Sequence, residues 1–155
     1  IVLPGVGAFG AVMDRLRRNG MDERIKDLAK RGVPLLGICV GLQVLFDESE
    51  ESQGVPGLSL LPGRVVRFTE GKVPQIGWNR ISSARNGADS GFVYFVNSYY
   101  PQPENADVIS YTADYFGQFC AAVEKDNVTA FQFHPEKSGI FGQSLLRRWI
   151  DRGGR

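Results

Sequence analysis

Gly37-Ile38-Cys39-Val40-Gly41 has the spacing of a nucleophile elbow, with cysteine at its centre. Such a residue sits on a sharp turn between a strand and a helix. Small flanking residues let the chain turn without clash. The side chain then stands at the C-terminal edge of a sheet, where the helix N-terminus favours a thiolate. The N–H of Val40 points where an oxyanion would form. The competing assignment is a buried structural cysteine. A cysteine nucleophile needs a base, and the chain has a single histidine, His134, 95 residues further on. It ends the apolar run Ala130-Phe131-Gln132-Phe133. Pro135 stiffens the turn, and Glu136 is near enough to orient the imidazole. By role this is nucleophile, base and orienter. Cys120 lies inside a strand-like run without an elbow and reads as core.

A second glycine cluster precedes this one. Gly5-Val6-Gly7-Ala8-Phe9-Gly10 spells the dinucleotide-binding pattern after a short apolar run. That pattern wants an acidic residue at the end of the next strand, and Cys39 stands there instead. The alternative is a flexible glycine turn whose N–H groups can face an anion.

The elements that would carry these residues alternate. Ile1-Val2-Leu3 predicts a buried strand ending at Pro4-Gly5. Apolar residues from Val12 to Lys30 follow helical spacing, broken at Asn19-Gly20. Leu35–Ile38 predicts a second buried strand and Leu42–Phe46 a helix, with a loop over Asp47–Gln53. This order implies a parallel α/β arrangement. Leu58–Leu61, Arg64–Phe68, Pro74–Ile81, Phe92–Val96, Val108–Tyr111, Phe119–Val123 and Thr129–Phe133 read as strands. They make the middle of the sheet mixed or antiparallel. Ser144–Ile150 predicts a closing amphipathic helix, with Arg147, Arg148 and Asp151 facing solvent. No internal repeat or linker divides residues 1–155, so one domain is expected.

Composition narrows the classes. The chain has 155 residues, 43% hydrophobic and 23% charged, which is ordinary for a globular domain. A net charge of +1 argues against binding nucleic acid or a membrane surface through bulk charge. No run approaches the ~18 apolar residues of a membrane span. Two cysteines and one histidine cannot supply the four ligands of a Cys/His zinc site. They do not form a secreted disulfide framework either. A cytoplasmic location is expected.

Together, Gly37-Ile38-Cys39-Val40-Gly41-Leu42-Gln43 and Phe133-His134-Pro135-Glu136-Lys137-Ser138 resemble the class I (triad) glutamine amidotransferases. Pro4-Gly5-Val6-Gly7-Ala8-Phe9, Leu61-Pro62-Gly63-Arg64-Val65, Val73-Pro74-Gln75-Ile76-Gly77-Trp78-Asn79 and Tyr94-Phe95-Val96-Asn97-Ser98-Tyr99-Tyr100 narrow it. These blocks resemble the glutaminase subunits of imidazole glycerol phosphate synthase, from Ile1 to about Leu146. The resemblance implies a three-layer α/β fold, with a mostly parallel central sheet and helices on both faces. It implies hydrolysis of L-glutamine through a Cys39 thioester, with His134 as base and then acid and Glu136 as its orienter. Backbone N–H groups of Val40 and Val6 would form the oxyanion hole. Gly7, Gln43, Glu51, Asn97, Ser98 and Tyr99 would line the glutamine site. Gln43 and Glu51 match the positions that hold the substrate's amide and amino ends.

No cofactor and no metal are implied. The ammonia would pass to a (βα)₈ cyclase subunit, in a heterodimer that makes imidazole glycerol phosphate for histidine biosynthesis. Trp78 and Lys137 match interface positions, against the alternatives of a core tryptophan and a solvated lysine. Two wall positions, Gln75 and Asn97, depart from the histidines expected there, which bears on substrate affinity. The family places a strand, a helix and a second strand before the segment matching Ile1–Leu3, so a missing N-terminal unit and lowered stability are expected. A cysteine peptidase, another amidotransferase and a non-catalytic interaction module are the rival classes.

Overall fold

The structure is a computed structural model that describes residues 1–85 and 89–153. Its main sheet has seven strands in the order β1-β2-β10-β9-β8-β5-β6. These are β1 (Val2–Leu3), β2 (Leu35–Ile38), β5 (Gln75–Ser83), β6 (Ser90–Asn97), β8 (Ile109–Asp114), β9 (Gln118–Lys125) and β10 (Val128–Phe131). β2 runs parallel to both β1 and β10. The pairings from β10 through β9, β8 and β5 to β6 are antiparallel, so the sheet is mixed and not, as expected, mostly parallel. A smaller sheet joins β3 (Glu48–Ser49), β4 (Gly63–Arg67) and β7 (Tyr99–Pro103).

Strand β2 shows why its sequence is an unbroken apolar run. Its four residues are all buried, because both faces of the sheet are covered. Leu35 packs in one core cluster with Phe9 and Met13 of α1 (Phe9–Arg18) and Ile25 of α2 (Met21–Lys30). Leu36 and Ile38 pack in the other, with Phe95, Phe133 and Leu145 of α4 (Gly139–Gly153). The outer hairpin β5–β6 alternates instead. Val93 and Phe95 are fully buried, while Ile76, Trp78 and Phe92 are exposed.

Helices α1 and α2 separate at Asn19-Gly20, where Gly20 takes φ 63°. Helix α1 has no capping side chain of its own at Ala8. Its first two N–H groups are capped by a distant 3-10 turn, Glu50–Ser52. Phe9 N donates to Glu51 Oε2 at 2.7 Å, and Gly10 N donates to Ser52 Oγ at 3.0 Å. The segment bearing Val6 is thereby tied to the segment bearing Glu51.

Several sequence expectations need correction. The first strand is not buried: it holds only Val2–Leu3 at the sheet edge, with Val2 half exposed. Leu58–Leu61 is not a strand. It is irregular backbone whose N–H groups reach the Val44, Phe46 and Leu45 carbonyls while Leu58 and Leu61 fill the core. The expected loop at Asp47–Gln53 contains β3 and the capping turn. The helix expected over Leu42–Phe46 is one short turn, α3 (Val40–Gln43), and α4 begins at Gly139 rather than Ser144. Strand β7 was hidden by its two prolines, which an edge strand tolerates.

Candidate active site

Cys39 stands between β2 and α3 with φ 55° and ψ −113°, a conformation that non-glycine residues rarely hold. Its N–H is fixed on the Phe131 carbonyl of β10 at 2.8 Å. The flanking glycines are required by contact. A Cβ on Gly41 would stand 1.9 Å from the Leu3 carbonyl oxygen, and one on Gly37 would stand 2.7 Å from the Gly41 oxygen. The elbow is therefore pressed against β1 and against its own helix, and only glycine permits both approaches.

His134 follows β10 at the matching sheet edge, 5% exposed. Its N–H donates to the Tyr94 carbonyl at 2.9 Å. Its Nδ1 lies 2.7 Å from Glu136 Oε1, which leaves Nε2 as the nitrogen for proton transfer. Ser138 braces the turn: its hydroxyl donates to the His134 carbonyl at 2.6 Å and accepts from Tyr94 N at 2.9 Å.

One cavity of about 290 Å³ collects most of the expected site. Cys39, His134, Val40, Val6, Gly7, Gln43, Glu51, Asn97, Ser98 and Tyr99 all line it. Glu136 is not in its wall and touches it through His134. Trp78 and Lys137 are outside it and exposed, which removes the core reading of Trp78. Pro74 and Val96 line the cavity and were not anticipated.

Gln132 was also missed. It is fully buried, and its Nε2 lies 4.0 Å from Cys39 Sγ. Its Oε1 accepts from Gln43 Nε2 at 3.1 Å, and Gln43 Nε2 also donates to the Tyr99 carbonyl at 3.2 Å. The available signal was a lone polar residue inside the apolar run Ala130–Phe133, two positions before the histidine.

Burial raises the Cys39 thiol pKa above its ordinary value. The Val40 backbone N–H pulls it down, Glu136 and Glu51 push it up, and Lys137 pulls it down. The resting group is thus a thiol, which must give up its proton when it attacks. A buried thiol, an oriented imidazole and a backbone N–H at the sulfur suit acyl transfer through a covalent intermediate. Of the glycine loop Pro4–Ala8, Val6 and Gly7 line this cavity. Among the described residues, no group of three or more His, Cys, Asp or Glu could hold a metal ion. No helix there is long and apolar enough to cross a membrane.

The sequence profile of class-I glutamine amidotransferases matches residues 1–151. A curated relative from Methanothermobacter thermautotrophicus, named imidazole glycerol phosphate synthase subunit HisH, is 49% identical over 97% of this chain and 78% of its own length. One of the same name from Syntrophotalea carbinolica is 52% identical over 97% of this chain and 80% of its own. A crystal structure described as a glutamine amidotransferase superposes with a TM-score of 0.78 at 21% identity. That match covers 99% of this chain and 78% of the other. A glutamine amidotransferase from Thermotoga maritima gives 0.64 at 17% identity, covering 97% and 63%. These structural matches show the shared α/β amidotransferase fold.

Proposed function

The chain belongs to the class-I glutamine amidotransferase family, and from that premise we propose that it is the glutaminase subunit of an imidazole glycerol phosphate synthase. It hydrolyses L-glutamine to glutamate and ammonia. The observation that carries this is the strained Cys39 elbow sharing one cavity with an imidazole that Glu136 orients.

In this reading glutamine enters with its side-chain amide at Cys39. His134 Nε2 takes the thiol proton as sulfur attacks the amide carbon. The oxyanion forms against the N–H of Val40, and the Pro4–Gly7 loop supplies that of Val6. His134 then protonates the departing nitrogen, which leaves as ammonia, and a thioester remains. Water, deprotonated by the same imidazole, releases glutamate and restores the thiol. The free oxygen of Glu51 and the backbone at Asn97–Tyr99 hold the amino-acid end. Gln43 keeps its amide in the wall, braced by Gln132 and Tyr99.

The ammonia goes to a cyclase partner of (βα)₈ form, making a heterodimer that operates in the cytoplasm. The docking face is the outer side of β5–β6. There Ile76, Trp78 and Phe92 are about 60% exposed, and Gly139 lies against Trp78. Lys137 is exposed on the turn just before Gly139. Residues 1–155 act as one amidotransferase domain. Curated relatives support this assignment, because relatives 49% and 52% identical to this chain bear the synthase-subunit name.

The test is glutamate release from glutamine, by the parent and by Cys39→Ala, each with and without a cyclase subunit. Cys39→Ala should lose hydrolysis while the mixture still cyclises with free ammonium. Hydrolysis by the variant overturns the nucleophile assignment. Peptide cleavage without glutaminase activity points to a peptidase instead.

A further inference from the structure

Among the described residues, two buried side-chain oxygens lack any hydrogen-bond partner, Gln75 Oε1 and Asn97 Oδ1. The two residues are 4% and 5% exposed and sit directly opposite each other in the β5–β6 ladder. Opposed residues of such a pair bring their Cβ atoms to about 4.5–5.5 Å on one face of the sheet. Buried polar groups are nearly always satisfied, so two adjacent orphans call for a donor.

The orientation of Asn97 is fixed. Its Nδ2 donates to the Tyr99 carbonyl at 3.0 Å, and turning the amide over would set two oxygens against each other. Its unpartnered atom is therefore an acceptor. Asn97 and Val96 line the Cys39 cavity, and the Val96 carbonyl lies 4.0 Å from the sulfur. One residue along on each strand, the Ile76 and Val96 side chains stand on the exposed outer face. The pair thus lies at the end of the hairpin that separates the nucleophile from that face.

We propose that the side-chain oxygens of Gln75 and Asn97 form a transit site for the ammonia released at Cys39. They accept its hydrogen bonds as it leaves the cavity toward the outer face of β5–β6. The chemistry of the pair suits a molecule that must move on. Ammonia is small and offers three N–H bonds, enough for both acceptors. Neutral amide oxygens hold it without the ion pair by which a carboxylate would retain ammonium. The inference rests on the amidotransferase reading above.

The test uses the complete two-subunit synthase at saturating cyclase subunit. Gln75→Met removes one acceptor with a side chain of similar length, and Gln75→Asn keeps a neutral one. The readout is glutamate formed per cyclised product, a ratio independent of how fast either variant turns over. Gln75→Met should raise that ratio about twofold or more as ammonia escapes to solvent, as expected when a buried donor loses its acceptor. Gln75→Asn should keep the parent ratio, and cyclisation with added ammonium should be unchanged in both. An unchanged ratio in Gln75→Met overturns the proposal and leaves a water-filled or structural pair. If Gln75→Met does not fold, Gln75→Leu gives the same readout. A parent that releases no glutamate defeats the amidotransferase reading, a result distinct from a parent that does so with an unmoved ratio.

Discussion

Replacing Glu136 by glutamine separates orientation of the base from everything else in the site. Glu136 Oε1 lies 2.7 Å from His134 Nδ1, and the Glu136 side chain is 48% exposed while that of His134 is 6% exposed. A hydrogen bond to a charged group is worth about 1.5–3 kcal/mol. Half exposure of the carboxylate lowers that to roughly 1–2 kcal/mol through solvent screening. At about 1.4 kcal/mol per tenfold, kcat for glutamine hydrolysis should fall roughly 5- to 30-fold. KM should stay within about twofold, because Glu136 does not line the cavity and holds no substrate.

The same substitution acts on the thiol in the opposite direction. Glu136 is one of the charges that raise the Cys39 pKa. Removing it lowers that pKa, so the free chain at pH 8 should be alkylated at Cys39 faster than the parent. Turnover and thiol reactivity therefore diverge in one protein. Steady-state glutamate release and iodoacetamide labelling on a single preparation measure both. A risen KM with unchanged kcat refutes the orienting role. So does a fall in labelling that parallels the fall in turnover, since a general loss of structure moves both together.

Other expectations follow from the same geometry. Gly41→Ala drives a methyl group into the Leu3 carbonyl oxygen and should cost at least about 3 kcal/mol, or roughly 10 °C in Tm; a parental melting curve would refute the contact. Ser52→Ala removes half of the remote cap on α1. It should cost about 1 kcal/mol and speed hydrogen exchange at the Gly10 amide, and unchanged exchange there would show that the cap carries no weight. The Cys120 thiol is pushed up to about 12 by burial, from 9.0. The unfolded chain then ionises first as pH rises, so stability present below pH 9 is lost toward pH 12, by roughly 4 kcal/mol. Chemical denaturation of the parent and Cys120→Ala across that range measures it, and equal slopes would exclude Cys120 as the source.

Legibility in the sequence followed how local each signal was. The elbow was readable because Gly37, Cys39 and Gly41 fall within five residues, even though the Leu3 carbonyl that excludes a side chain at Gly41 is distant in the chain. His134 and Glu136 were readable because they are two residues apart. The buried strand β2 showed itself as an apolar run because both its faces are covered. What escaped was set by distant chain. Leu58–Leu61 looks like a strand, yet its N–H groups are taken by the turn after α3. Strand β7 exists because β4 pairs with it, despite its prolines. The second use of Glu51, as a cap for α1, depends on a partner 42 residues away. Gln132 announced itself only as a polar residue out of place.

The outer face of β5–β6 has a consequence for how the isolated chain behaves in a tube. Ile76, Trp78 and Phe92 stand bare on one patch, while the whole chain carries a net charge of only +1. Long-range repulsion is then too weak to keep two such patches apart. Concentration becomes a chemical variable. Light scattering from the chain alone should rise faster than linearly with concentration, and Trp78→Lys should suppress that rise. The patch thus makes the lone chain poorly colloidal, and anything that covers it serves as its solubiliser.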